Sequence, residues 1–449
     1  MVGSAWVLNT TRATYQLIMP NTKAIADRLL VQFKIFLTIE EMKKIVDRFV
    51  SEMDMGLTAV GSCLSMLPSF IGIDEPVPAG KPVIVIDAGG TNLRVCAVEF
   101  DSQGGFQIEH RNQMLMPGAK EEISKEEFYQ SICDFLMPVI HLSDRIGFCF
   151  SYPVAIDAQK DGKLLYWTKE IKVPEVVGTF IGSGLNKFLK KRGIAEKKIV
   201  ILNDTVATLL AGKAKGQARQ CESYIGFILG TGTNTAYIER NERILKIPQK
   251  TGAQIVNVES GGFSAFRRGK VDQQFDLSTD TPGTHIFEKM ISGVYLGPLV
   301  LKVLQSAAVE GAFSGHTQSH LRNLTSLETS GISQFLENPH QANPGFALEQ
   351  TPGYDLELMY HLVNGVILRA GQLAAINLTA AIIKSGKGRN PLHPICINVD
   401  GSTYHKLFGL KQVVETKLSQ LLKDLDVYYQ LVKTDHSPII GAAIAGYCG

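Results

Sequence analysis

The chain has 449 residues, 45% hydrophobic and 20% charged, a globular composition with room for two domains at roughly 100–200 residues each. Its 45 basic and 43 acidic residues leave a net charge of +2, which removes the electrostatic case for a nucleic-acid partner. No stretch approaches the ~18–20 uninterrupted apolar residues of a membrane span, and residues 1–20 lack the basic start and long apolar core of a signal peptide.

Residues 1–20 carry no period and are expected to form a loose arm. From Thr38 onward Met42, Ile45, Val46, Phe49, Val50 and Met53 recur at helical spacing. Thr38 with Glu41 reads as a capping box and Gly56 as the C-terminal stop. A Pro/Gly-rich linker over 68–82 leads into VIVIDAGGTNLRVCAVEF (83–100), a strand, a Gly/Thr/Asn turn and a second strand. A helix over 125–139, a buried strand over 145–151 and a helix over 177–192 follow. The strand KKIVILND then runs into the helix TVATLLAGKA. YIGFILGTGTNTAYIER (224–240) repeats the strand–turn–strand pattern. Beyond it lie the helical segments HIFEKMISGVYLGPLVLKVLQSAA and GYDLELMYHLVNGVILRAGQLAAINLTAAIIKSG, the strand PICINVD and the terminal helix GAAIAGY. Hairpins interleaved with helices in two echoing halves indicate an α/β fold that arose by duplication. Seven scattered cysteines without a C-x-x-C pair read as reduced thiols, and a cytoplasmic protein without a membrane or nucleic-acid partner is expected.

The two glycine turns carry the first chemical signal, because glycine leaves backbone N–H groups open to phosphate oxygens. Two such turns suit a nucleoside triphosphate gripped from two sides. Asp87 ends a buried strand beside the first turn. It fits a carboxylate that organises Mg²⁺ through water, or one that only stabilises the turn. Thr91, Asn92 and Arg94 extend toward an anion, although Arg94 also fits a surface charge. Asn203 and Asp204 stand where a strand meets a helix, a place for an N-cap and equally for a general base. Gly230, Thr231, Gly232 and Asn234 form the second turn. Glu259 and Glu288, each taken alone, read as solvated charges. Together with Asn203, Asp204 and Asn234 they make an acid- and amide-rich set suited to a polyol. No G-x-x-x-x-G-K-[ST], no strand-borne G-x-G-x-x-G and no zinc spacing occurs.

In this order the motifs resemble the hexokinase family of the actin-like (ribonuclease H-like) sugar kinase superfamily, from about residue 37 to the end. VIVIDAGGTNLRV and FILGTGTNTAYIE resemble its phosphate motifs, and FCFSYP with LLYWTK its sugar segment. ILNDTVATLLAG resembles the catalytic strand–helix. NVESGGF and IFEKMISGVYLG resemble the segments that carry sugar-contacting glutamates, and INVDGSTY the adenosine motif. The resemblance implies two ribonuclease H-like lobes around a central cleft. Residues 76–204 with a C-terminal helix at about 441–449 would form the small lobe, and 21–75 with 205–440 the large one. It also implies an ATP- and Mg²⁺-dependent hexokinase or glucokinase, monomeric or homodimeric, acting on glucose or a related hexose. Asp204 would be the base. Ser151, Thr168, Lys169, Asn203, Asn234, Glu259 and Glu288 would hold the sugar, with Lys169 also near the transferred phosphoryl. Asp87 would act on Mg²⁺ through water. Gly89, Gly90, Thr91, Asn92, Arg94, Gly230, Thr231 and Gly232 would face the phosphates, and Gly401 and Ser402 the adenosine. The chain departs from the family pattern at Glu170, at Ser260 (often aromatic in relatives), at Pro298 and Leu301, and in the glycine-poor stretch around Ser437. A sugar sensor without catalysis and a kinase for another sugar are the rival readings.

Overall fold

In the computed structural model, which describes residues 21–58, 61–73, 79–102, 105–167, 171–216, 220–341, 346 and 351–448, two helices come first. The expected arm, 1–20, lies outside the described residues. α1 (Thr22–Gln32) is capped by Asn21, whose side chain accepts the Ala24 N–H. α2 (Ile39–Gly56) starts at the expected capping box, with Thr38 and Glu41 satisfying each other's N–H groups. Gly56 is not a left-handed stop. The next residue, Leu57, remains right-handed, and a Cβ at Gly56 would lie 2.5 Å from the Leu64 carbonyl and from Met66 Cγ. Close approach, not conformation, explains this glycine. The start of the expected linker is a strand, β1 (Leu67–Pro68), at the edge of a sheet.

β2 (Pro82–Gly89) and β3 (Asn92–Phe100) make the first hairpin, and β4 (Phe106–Leu115) pairs with its outer edge. The sequence did not announce β4, whose side chains are exposed on both faces, so no apolar alternation marks it. α3 (Lys125–Leu136), β5 (Arg145–Phe150) and the small hairpin β6 (Val154–Ile156) and β7 (Gly162–Leu164) follow. α4 (Ile181–Lys191) starts later than expected, because Gly178 is left-handed at φ +78° and Phe180 is still extended, while Pro174–Val176 forms a separate 3₁₀ turn. β8 (Lys198–Leu202) runs directly into α5 (Asp204–Gly216). The second hairpin is β9 (Ser223–Leu229) and β10 (Thr233–Arg240), joined by β11 (Ala253–Asn257). After α6 (Lys270–Leu277), the single helix expected over 285–308 is two, α7 (Ile286–Ile291) and α8 (Gly293–Val309), because Ser292 turns extended at ψ 158°. α9 (Gly315–Asn323), α10 (Thr329–Glu337), α11 (Gly353–Ser385), β12 (Ile395–Asp400), α12 (Ser402–Lys406), α13 (Leu410–Leu422), β13 (Tyr429–Val432) and α14 (Ser437–Tyr447) complete the order.

The fold is α/β, with two main sheets. One has the order β4-β3-β2-β5-β8 and the other β1-β11-β10-β9-β12-β13. α5 and α14 lie against each other in the layer where the two sheets approach. Their contact is backbone on backbone. A Cβ at Gly441 would strike the Ala207 carbonyl, and one at Gly147 in β5 would strike the Ala442 carbonyl. α11 is long and apolar enough to cross a membrane, yet 89% of its most apolar window is buried inside the protein. α1, α2, α8 and α13 pack around it, as around any core helix. All seven cysteines are free.

Charge enters this core in paired form. Arg369 of α11 grips the buried Asp272 of α6 through two bonds of 2.8 Å, and Asp272 also accepts the Gly269 N–H at 3.0 Å. Breaking such a pair strands one charge without water. Asp272→Ala is therefore expected to lower unfolding free energy by about 3–5 kcal/mol in urea titrations, while replacing both partners by apolar residues recovers a large part of the loss.

Candidate active site

The first turn is held from several sides. Gly90 sits at φ +70° with open space where a Cβ would be, and the Tyr152 hydroxyl donates to its carbonyl. Asp87 is only 3% exposed, and its carboxylate accepts from Arg94 Nη1 at 2.9 Å. Arg94 also donates to Gln113, which in turn donates to Asn92 Oδ1. Arg94 is thus no free surface charge but the near end of a polar chain running back along the sheet. Thr91 and Gly89 complete the turn.

The second turn is tighter. The Gly230 N–H donates to the Gly232 carbonyl, while the Gly230 carbonyl accepts from the Gly293 N–H at 2.8 Å and from Thr403 Oγ1 at 2.8 Å. Gly401, at φ +109°, presses so close to Leu229 and Gly230 that any side chain there would strike the Leu229 carbonyl. Three stretches of chain converge here, and beside them opens a cavity of about 540 Å³. Thr231, Gly293, Val294, Thr329, Ser402 and Lys406 line it. Ser437, in the glycine-poor stretch near the C-terminus, is fully buried, donating to the Thr434 carbonyl and accepting from Asn398.

β2, β5 and β8 are parallel neighbours, with Asp87 level with Cys149 and Cys149 level with Leu202. Asp87, Ser151 and the pair Asn203–Asp204 therefore leave one sheet at the carboxyl ends of adjacent strands, where open α/β sheets bind ligands. The Ser151 N–H is held by the Ala88 carbonyl at 3.1 Å. Asn203 does the capping of α5, its Oδ1 accepting the Thr205 N–H at 2.8 Å. The expected alternative, Asp204 as an ordinary cap, does not apply. Its carboxylate stays partly open, touched by the Thr205 hydroxyl at 3.4 Å.

Opposite lies the acid and amide cluster. Asn234 Nδ2 donates to Asn257 Oδ1 at 2.7 Å and to Glu259 Oε1 at 3.2 Å, and Asn257 Nδ2 donates to Glu259 Oε1 at 2.7 Å. Glu288 Oε2 accepts the Thr233 N–H at 2.9 Å, and a Cβ on Gly232 would lie 2.6 Å from that oxygen. Neither glutamate is the solvated charge that each suggested alone. Burial pushes the Glu259 carboxyl above the usual carboxylate range. The Asn257 amide opposes the shift, and the charges of Asp204 and Glu288 add to it. Asp204, from the end of β8, thus shares one electrostatic neighbourhood with glutamates carried beyond β11 and on α7. Pro68, Ser69, Tyr152, Asn203, Asn257 and Glu259 line a small cavity of about 20 Å³ beside this cluster. Thr168 and Lys169 lie outside the described residues. Asn257 was missed in the sequence, although its spacing two before Glu259 at the end of a strand was a usable signal.

Two hexokinase family models match consecutive stretches of the chain, residues 26–214 and 224–448. The chain belongs to the hexokinase family. Hexokinases phosphorylate hexoses with ATP. Schizosaccharomyces pombe Hexokinase-1 is 29% identical over 424 residues, which cover 89% of this chain and 84% of that protein. Solanum tuberosum Hexokinase-2 is 29% identical over 439 residues, 90% and 87% of the two chains. Against Rattus norvegicus Hexokinase-2, also 29% identical, this chain spans only 45% of the relative's length. A hexokinase from Schistosoma mansoni, solved with glucose, superposes with a TM-score of 0.77 over 95% of this chain and all of that one. At 23% identity the likeness speaks for a shared fold. Hexokinases of this fold have two actin-like lobes around a cleft.

The raised Glu259 carboxyl has a pH signature. Between the ordinary carboxylate range and its higher folded value, the folded state holds the proton more tightly than the unfolded chain, so stability falls as pH rises through that window. Glu259→Gln removes the ionisation. Its melting temperature at neutral pH is expected to equal or exceed that of the parent, with the gap closing below about pH 4. A lower melting temperature at neutral pH, seen by scanning calorimetry, counts against this account.

Proposed function

We propose that this chain is an ATP- and Mg²⁺-dependent hexokinase that transfers the γ-phosphoryl group to the 6-hydroxyl of glucose or a related hexose, with Asp204 as general base. The observation that carries this reading is the Asp204 carboxylate, not used as the cap of α5 and near enough to Glu259, with Glu288, to act on its charge. Asp204 would accept the 6-hydroxyl proton as that oxygen attacks the γ-phosphorus and the bond to the bridging oxygen of ADP breaks. Ser151, Asn203, Asn234, Glu259 and Glu288 would hold the sugar hydroxyls, with Thr168 and Lys169 added by the family resemblance. Phosphoryl transfer depends mainly on alignment and charge neutralisation, and this cluster would supply the alignment.

The first turn, with Gly89, Gly90, Thr91, Asn92 and Arg94, and the second, with Gly230, Thr231 and Gly232, would carry the phosphates. Gly401 and Ser402 would border the nucleoside in the 540 Å³ cavity. Among the described residues no three His, Cys, Asp or Glu converge as a metal cage. A single buried carboxylate beside a phosphate turn fits a hard cation that arrives with the nucleotide. Asp87 would hold Mg²⁺ through water, and the ion would neutralise the triphosphate. The lobe division at 76–204 plus the last helix, against 21–75 and 205–440, is supported by the two sheets and by the packing of α14 on β2 and β5. A cytoplasmic site fits seven free thiols.

Asp204→Ala is expected to cut turnover by ~10²-fold or more while glucose still binds by calorimetry. Turnover near the parent value sinks the assignment, and absence of glucose-dependent ADP release from the parent protein favours a sugar sensor instead. Glu259→Gln and Glu288→Gln should each raise KM for glucose in a coupled assay. An unchanged KM in both refutes their role.

A further inference from the structure

Behind the sugar cluster lies a polar bridge that the chemistry above does not use. Asn377, in the C-terminal third of α11 and 1% exposed, donates from Nδ2 to Thr235 Oγ1 at 2.7 Å and to Ser260 Oγ at 3.3 Å. The two hydroxyls lie 3.3 Å apart and are fully buried. The backbone N–H groups of these same two residues donate to Asn234 Oδ1, at 2.7 Å from Thr235 and 3.3 Å from Ser260. With its carbonyl end so held, Asn234 presents Nδ2 to Asn257 and Glu259. Asn377 Oδ1 has no partner. Burying an amide with its acceptor unmet costs stability, and an alanine would join this helix to the sheet without that cost. Ser260, one of the departures from the family pattern, is half of the bridge.

We infer that Asn377 is a positioning residue that, through Thr235 and Ser260, sets the orientation of the Asn234–Glu259 pair and so sharpens recognition of one hexose hydroxyl. Asn377 touches no substrate. The inference rests on the proposed sugar role of Asn234 and Glu259. It gives the core helix α11 a direct hold on selectivity, across a sheet from the cleft.

The test compares D-glucose with its 2-, 3- and 4-deoxy analogues in the full-length parent protein and in Asn377→Ala, Ser260→Ala and Asn234→Ala. Calorimetric binding and steady-state kinetics are read together. Losing the bridge should raise KM and Kd for glucose by about tenfold in Asn377→Ala. The ATP KM should stay unchanged, and the preference for glucose over one deoxy analogue should shrink toward the Asn234→Ala value. Ser260→Ala should move the same way by less, and it serves if Asn377→Ala fails to fold. A purely structural seam lowers the active fraction for all sugars alike. An unchanged preference ratio in both variants therefore overturns the inference, even where kcat and melting temperature fall. If Asn234→Ala weakens glucose binding while Asn377→Ala and Ser260→Ala do not, this inference alone fails. If Asn234→Ala itself leaves binding and preference intact, the sugar assignment fails and the inference falls with it.

Discussion

The site depends on α5 being wedged between two sheets at backbone distance. Its first residue is Asp204, delivered by β8. One flank meets α14 through Gly441, and another meets β9, where a Cβ on Gly226 would strike the Thr205 carbonyl. β9 is the strand that leads into the second glycine turn. One helix therefore sets the position of the carboxylate at the end of β8 and of the turn across from it. Larger side chains at these contacts would push the sheets apart and with them the two halves of the cluster.

The electrostatics of the cleft work against the rest of the fold. Three carboxylates, Asp204, Glu259 and Glu288, share a space in which burial already disfavours ionisation at Glu259. Glu259 also holds its backbone in the left-handed region at φ +56°, a strained state for a residue with a side chain. Amides from Asn234 and Asn257 offset part of the charge cost. Behind the cleft the wiring changes character. Lys289, next to Glu288, points the other way and is fully buried, donating to Asp276 and to the Thr281 carbonyl. Burial opposes the ionised Asp276, but the Lys289 and Arg268 cations and the Gly283 N–H outweigh it and hold its carboxyl below the usual range.

Much of this was legible in the sequence, for physical reasons. The hairpins 83–100 and 224–240 were, because dense apolar runs flank a glycine turn. α2 was, because Thr38 and Glu41 form a cap that local chemistry alone specifies. The short edge strand β1, the solvent-washed β4 and the break at Ser292 were not. Edge strands carry little apolar pattern, and a helix break without proline or glycine at the breaking residue leaves no local mark. In the site, the residue types were readable and their grouping was not. Glu259 and Glu288 look solvated one at a time, and only the register of β10 on β11 with the approach of α7 brings them together. Asn377 was invisible, a lone amide in an apolar helix whose partners lie 117 and 142 positions away in the chain.

The place of α14 bears on how the protein is made. The sheet built from residues 82–202 has its inner face covered by residues 437–447, and Arg145 donates to the Tyr447 carbonyl. On a ribosome the amino-terminal sheet emerges first and stays uncovered while some 230 more residues are added. Val83, Val85 and Cys149 then face water or whatever binds them in the interval. A sheet formed early in synthesis is thus completed only by a helix made much later.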